Sequence, residues 1–372
     1  MNSRNRVFKA MRRETPDRAP VSARFHAEMM RIFNEKVGAN LPGKYLKAGH
    51  MGFVTELLTH GTAPEEYFGC DIRQVATLPS SNVNDHPEYV ETLPDHAFVN
   101  EWGIARVIDP MTFSERRISP LRHATSVAEI ACYKLPDVDA DYRWRGLVEN
   151  VEAFKKAGYG TAGFFHATFF ELICDLRGYE EFLMDLYAQP KLAEALIDLV
   201  TDVRINQAVG LAKSGVDILR VGDNFGIQDR MFVSPDKWRK MFKPGLDKLI
   251  RSVKSARPDL FLVYKSDGYI EPIIPDLIDI GVDSLCPVQA GAMDAVKIKK
   301  NFGKHLGMWG TVSTQALLPF GTPQEVKDKV QENMRVLGEG GGLVITPDQM
   351  VLPDIPWENM VAFFEAVHQF RW

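Results

Sequence analysis

Leu260-Phe261-Leu262-Val263-Tyr264-Lys265-Ser266-Asp267-Gly268 passes from an unbroken apolar run straight into lysine, serine, aspartate and glycine. A short apolar run of this kind reads as a strand buried on both faces, the usual state of a strand in a parallel sheet. Its polar exit delivers functional groups to one rim of that sheet, where ligands bind in α/β folds. The pattern recurs along the chain. Ile218-Leu219-Arg220-Val221 exits into Gly222-Asp223-Asn224, and Gly163-Phe164-Phe165 into His166. His305-Leu306-Gly307-Met308-Trp309 exits into Gly310-Thr311, and Leu343-Val344-Ile345 into Thr346-Pro347-Asp348-Gln349. Several strands therefore converge on one polar mouth.

Between these strands the sequence carries helical patterns. Helix 141–157 precedes strand 160–166, and long helices are expected over 169–187 and 190–214, the second opened by Pro190. Strand 217–221, helix 235–256, strand 260–265, helix 270–280 and strand 283–286 follow. Helix 292–300, strand 305–310, helix 323–338, strand 342–346 and helix 356–369 complete the series. Strands alternating with helices imply parallel βα units. A first strand at Arg18–Ala23 and one more hidden before residue 135 would make a (β/α)8 barrel, an α/β fold. Residues 24–80 read as a helical, loop-rich elaboration with a short extended piece at Asp71–Ala76. Residues 81–125 read as a β-excursion, all within one domain of residues 1–372. A doubly wound open sheet is the alternative, but no GxGxxG or P-loop glycine pattern supports it.

The composition is that of a globular chain, 45% hydrophobic and 25% charged over 372 residues with a formal net charge of −5. No basic run is dense enough to suggest nucleic acid or an anionic membrane surface. No run approaches the roughly 20 apolar residues of a membrane helix. Met1–Ala10 lacks the apolar core of a signal peptide. Cys70, Cys132, Cys174 and Cys286 lie far apart without a CxxC pair, as expected of reduced thiols in a cytoplasmic protein.

Each candidate at the mouth has a structural and a chemical reading. Lys265 and Asp267 make either a surface ion pair and a turn before Gly268, or a cation with an acid/base partner beside a leaving oxygen. Asp223 and Asn224 either cap a helix or hydrogen-bond a ligand. His166 is either a satisfied core histidine or a general acid/base. Arg24 and His26, with Glu28, follow the first strand and could meet a substrate, as could Tyr264 and Thr311 at strand ends. Glu171 reads as a helix-face residue. The remaining histidines form no spaced metal motif.

Gly163–Tyr187, Gly222–Pro244, Tyr264–Gln289, Pro319-Phe320-Gly321-Thr322-Pro323 and Leu352-Pro353-Asp354-Ile355-Pro356-Trp357-Glu358-Asn359 together resemble the uroporphyrinogen decarboxylase superfamily, in family order. Arg6–Ala10 and Pro16-Asp17-Arg18-Ala19-Pro20 resemble its opening. The resemblance implies a TIM barrel with its site at the carboxyl end of the strands. It offers two chemistries: decarboxylation of a carboxylic acid without a cofactor, and methyl transfer to or from a corrinoid. The tetrapyrrole decarboxylases carry an arginine-rich segment after the first strand and a histidine near the last. Here Ala23-Arg24-Phe25-His26-Ala27-Glu28 and Gln349 stand there. The thiol-methylating branch holds zinc with a His-x-Cys pair and a later cysteine, in whose places are Tyr264-Lys265-Ser266 and Gln349, so no zinc is expected at the mouth. What remains resembles the zinc-free, corrinoid-dependent methyltransferases of demethylation systems. That implies a methoxylated, aromatic or apolar small molecule or a methyl-tetrahydrofolate as methyl donor or acceptor. With no cobalamin-binding Asp-x-His-x-x-Gly signature in this chain, the corrinoid would ride on a carrier protein, and a homodimer is the candidate assembly. The site set is then Lys265, Asp267 and His166 for catalysis, with Arg24, His26, Asp223, Asn224, Tyr264, Thr311 and Gln349 for substrate.

Overall fold

The computed structural model describes residues 1–37, 46–47, 54–55, 64–78, 97–108, 115–165 and 167–372. Seven parallel strands stand side by side in chain order: β1 (Ile72–Val75), β2 (Gly160–Phe164), β3 (Ile218–Val221), β4 (Phe261–Lys265), β5 (Ser284–Val288), β6 (Gly307–Val312) and β7 (Leu343–Pro347). The strand hidden before residue 135 is β1, within the extended piece expected at Asp71–Ala76.

The eighth stave is the segment around Val21. On one side Ile345 N donates to Pro20 O at 2.9 Å and Ser22 N to Ile345 O at 3.3 Å. On the other, Asp71 N donates to Val21 O at 2.7 Å. The pairing is confined to bridges at Val21 and Phe25, short of the continuous strand expected over Arg18–Ala23. Side-chain charges strengthen it instead. The buried Asp71 carboxylate takes Arg6 Nη1 at 2.7 Å, Arg18 Nη1 at 2.8 Å and the Val21 amide at 2.8 Å. Asp71 thereby ties the first helix and the first stave to the foot of β1, leaving no open edge to the sheet.

The helix Ser3–Met11 plugs the amino end of the barrel. Its Val7 and Met11 pack with Ile72, Ala162, Ile218, Val263, Trp309 and Val344, the inward residues of the staves. Alternate positions, such as Leu219, Leu262, Tyr264 and Leu285, face outward into the layer of helices. The expected helices are present with three breaks. Gly146, at φ +73, parts a 3-10 turn Asp141–Trp144 from the helix Leu147–Lys156 within the run 141–157. Gly178, at φ +102, splits the run 169–187 into Phe170–Arg177 and Tyr179–Ala188. Phe242 separates Pro235–Met241 from Lys243–Ala256. Within the expected β-excursion, Phe98–Val99, Ala105–Ile108 and Glu115–Ile118 form a three-stranded antiparallel sheet, while 81–96 and 109–114 lie outside the described residues. All four cysteines are free thiols. No helix among the described residues is long and apolar enough to cross a membrane.

Candidate active site

The carboxyl ends of β3 and β4 bring the polar exits together. Gly222, at φ +138, allows this approach, since a Cβ there would fall onto the Lys265 backbone. A second close approach sets Gly268, at φ +72, against the backbone of Gly226. The two loops are thereby held in register, and their side chains meet. Lys265 Nζ donates to Asn224 Oδ1 at 2.6 Å and to Asp267 Oδ2 at 2.7 Å. Asn224 Oδ1 also accepts from the Asp267 amide at 2.9 Å. Asn224 in turn donates from its amide and side chain to Glu171, at 3.0 and 2.9 Å. Behind Glu171 lies Asp223, whose carboxylate accepts from Phe169 N at 3.0 and 2.9 Å and from Glu171 N at 3.2 Å. Asp223, from the end of β3, thus satisfies the open amides that begin the helix Phe170–Arg177.

Burial dominates the electrostatics of this chain of groups. Asp223 is pushed up from 3.8 to about 7, mainly by desolvation and then by the Glu171 charge, against the pull of the helix amides. Burial also raises Glu171, while the Lys265 ammonium pulls it back. The result is a connected series from a half-neutral aspartate to a lysine held by a carboxylate and an amide.

Lys265 opens onto a cleft of about 30 Å³ at the mouth of the barrel. Arg24, Gln74, Arg220, Cys286, Trp309, Thr346, Asp348 and Gln349 line it too. Asp348 Oδ1 accepts from Thr314 N and Oγ1 at 2.9 and 2.8 Å, and burial raises its carboxyl. Asp267 Oδ1, Asp348 Oδ2 and the Trp309 indole Nε1 are buried without a hydrogen-bond partner. Such polar atoms are left for a ligand or for water.

Of the residues expected at the site, Lys265, Arg24 and Gln349 line this cleft, and Asp267 and Asn224 hold Lys265. Three stand elsewhere. Tyr264 is fully buried in the outer layer near Trp238, because the residue before an inward Lys265 must face out; burial drives its phenol well above the usual range. Thr311 is turned to the helical layer, where its carbonyl and hydroxyl accept from Asn333 Nδ2 at 2.8 and 3.1 Å. His26 lies on the closing segment, where its Nδ1 accepts from Glu28 N at 3.2 Å, and does not line the cleft. Asp223 sits one layer behind the cleft as a helix cap. His166 lies outside the described residues. Glu171, expected only as a helix-face residue, is instead the link between Asp223 and Asn224. The residues that the sequence reading missed are Arg220, Gln74, Cys286, Trp309 and Asp348. The signal for one was present: Arg220 is a charged residue inside an apolar strand, two positions from Ile218 on the same face.

Comparison with known proteins places this geometry in a family context. The family model described as uroporphyrinogen decarboxylase (URO-D) matches residues 110–370. The chain is 28% identical over 199 residues to "Methylcobamide:CoM methyltransferase MtaA" of Methanosarcina barkeri, covering 54% of this chain and 55% of that protein. It is 23% identical over 189 residues to uroporphyrinogen decarboxylase of Chlorobaculum parvum (strain DSM 263 / NCIMB 8327), covering 50% and 51%. The matches thus span about half the length of these curated relatives. A solved structure described as a methyltransferase from Methanosarcina mazei superposes with a TM-score of 0.70 over 99% of both chains, at 19% identity. That likeness supports the same barrel fold.

Proposed function

Because the chain belongs to the uroporphyrinogen decarboxylase family, we propose that it is the methyltransferase component of a corrinoid-dependent demethylation system in the cytoplasm. It moves a methyl group between a small methoxylated compound or a methyl-folate and a corrinoid on a partner protein. The family match with methyltransferase relatives supports the class of reaction. The observation that carries the reading is the Lys265 ammonium. Two of its three donors are committed to Asn224 Oδ1 and Asp267 Oδ2, which leaves one for a ligand in the cleft that Lys265 lines.

The corrinoid supplies the nucleophile that takes the methyl group. What this chain must supply is help for the departing atom, the oxygen of an ether or the nitrogen of a methyl-folate, since an ether or amine methyl group is a poor electrophile. Lys265 stabilises the negative charge growing on the leaving oxygen and can transfer a proton to it. Asp267 and Asn224 fix the ammonium in place before reaction, so no reorganisation is needed as that charge develops. The donor set around Lys265 is its ammonium, two guanidinium groups, the single Cys286 thiol and the carboxylates of Asp267 and Asp348, with no imidazole or second thiol among the described lining residues. It does not fit a thiolate–imidazole zinc site, and no step is routed through zinc.

The test uses the full chain with chemically reduced cobalamin and a panel of methoxylated compounds and methyl-tetrahydrofolate. Methylcobalamin formation, followed by absorbance, is the expected result. Lys265→Met should lower kcat by about 10²–10³ with a smaller change in KM. An unchanged kcat removes the role given to Lys265. Release of CO2 from a carboxylic acid without corrinoid overturns methyl transfer and favours a cofactor-independent decarboxylase, for which Arg24 and Lys265 would bind the acid.

A further inference from the structure

Asn224 stands in the middle of the polar chain that ends at Lys265. The torsion that turns a carboxamide plane is soft, so the side chain itself does not decide which end faces which neighbour. The neighbours decide. On one side stand two donors, the Lys265 ammonium at 2.6 Å and the Asp267 amide at 2.9 Å, and neither can accept. On the other stands the Glu171 carboxylate, which takes Nδ2 at 2.9 Å and, when ionised, can only accept. Turning the carboxamide over would set its N–H groups against an ammonium and a backbone N–H, and its carbonyl against a carboxylate.

Glu171 grips Asn224 at a second point. Its Oε2 accepts from the Asn224 main-chain amide at 3.0 Å while Oε1 accepts from Nδ2. One carboxylate thus holds the backbone and the side chain of the same residue, which fixes both where the carboxamide sits and which way it faces. Glu171 is in turn placed by the exit of β3. Asp223, the residue before Asn224, accepts from Phe169 N and Glu171 N at the start of the helix Phe170–Arg177. The clasp is reciprocal: the strand exit accepts from the helix through Asp223, and the helix accepts from the strand exit through Glu171. Burial raises the Glu171 carboxyl, and the Lys265 ammonium draws it back toward the ionised form that this grip needs. A carboxamide carries no titrating proton, so Glu171 acts on Lys265 by orientation and not as a proton source.

We propose that Glu171 is a positioning residue: by fixing the orientation of the Asn224 carboxamide it keeps an acceptor on the Lys265 ammonium and so aims that ammonium into the cleft. The consequence for catalysis rests on the methyltransferase reading; the hold on Lys265 does not.

Exchanging the two functional groups tests this. Glu171→Gln sets an NH2 group against a donor of Asn224. Asn224→Asp sets a second carboxylate against that of Glu171. In the double variant Glu171→Gln/Asn224→Asp the new carboxamide donates to the new carboxylate and still accepts from the main-chain amide, and the new carboxylate keeps an oxygen for Lys265. Every bond of the clasp is then restored, one with its direction reversed, at unchanged net charge. The readout is the rate at which N-hydroxysuccinimidyl acetate labels Lys265 in the full chain, followed by mass spectrometry with no corrinoid or substrate present. Lys243, of similar exposure and held by Asp276 and Asp279, is the internal reference. Each single variant should raise the labelling of Lys265 relative to Lys243 by about three- to tenfold, for the loss of a charge-assisted hydrogen bond. The double variant should return to within about twofold of wild type. In methylcobalamin formation kcat should follow the same order, falling roughly tenfold in the single variants with little change in KM and recovering in the double.

Unchanged Lys265 labelling in Glu171→Gln overturns the proposal, as does a double variant that is labelled as fast as the single variants or folds no better than they do. If a single variant fails to fold, the double variant decides: labelling at the wild-type rate upholds the proposal and faster labelling overturns it. The expected labelling pattern with no methylcobalamin formed by wild-type protein would sink the methyltransferase reading and leave the positioning role standing. Methyl transfer with neither kcat nor labelling altered by Glu171→Gln would do the reverse.

Discussion

Replacing Asp223 with asparagine isolates the electrostatic cost of the buried group behind the cleft. The wild-type carboxyl is raised from 3.8 to about 7 by burial and by Glu171. A displacement of that size corresponds to roughly 4 kcal/mol between the protonated and ionised forms. The sign follows from proton binding. Between the two values the folded chain keeps a proton that the unfolded chain has lost, so stability falls as pH rises through that window and levels off above about 7. Asp223 therefore costs roughly 2 kcal/mol at about pH 5 and roughly 4 at about pH 8. Asparagine keeps the Oδ1 that accepts from both Phe169 N and Glu171 N but cannot ionise. The stability of Asp223→Asn relative to wild type should then improve by roughly 2–3 kcal/mol from about pH 5 to about pH 8. Urea unfolding at matched ionic strength, followed by far-UV circular dichroism across this range, measures it. A difference between the two proteins that stays flat with pH would show that Asp223 is ionised throughout, and would refute the buried, half-neutral aspartate.

Two further substitutions test the frame that positions the cleft. Asp71→Asn leaves the buried Arg18 without its counter-charge and Arg6 with Asp17 alone, and should cost about 3–5 kcal/mol in urea unfolding; a loss below about 1 kcal/mol would mean the closing stave does not depend on this network. Gly268→Ala sets a methyl group against the Gly226 backbone at a positive φ and should cost roughly 2–4 kcal/mol. The same variant should lose cleft binding even where it stays folded, because the Lys265–Asn224 contact depends on these two loops lying together; retained binding would show that the loops are not coupled.

The strand exits were legible because they depend on local chemistry. An apolar run that stops at Lys265-Ser266-Asp267-Gly268 marks both a buried strand and the rim at which it ends, and a sequence window shows both. The alternation of strands and helices likewise announced parallel βα units, and with them the end of the barrel that carries the site. Which face of each strand looks inward could not be read in this way. A barrel stave is apolar on both sides, so Phe261-Leu262-Val263-Tyr264 carries no polar alternation to tell Tyr264, which faces the helices, from Lys265, which faces the cleft. Closure was also a tertiary matter. Two β-bridges and the charges around Asp71 make a stave of the Val21 segment, and neither is visible in a propensity. The same holds for the link of Glu171 to Asn224, 53 positions apart, and for Arg220 sharing a cleft with Arg24. Their chemistry is created by curling the sheet until distant strand ends meet, so the sequence determined which polar groups reach the rim, and the closed barrel decided which of them face one another.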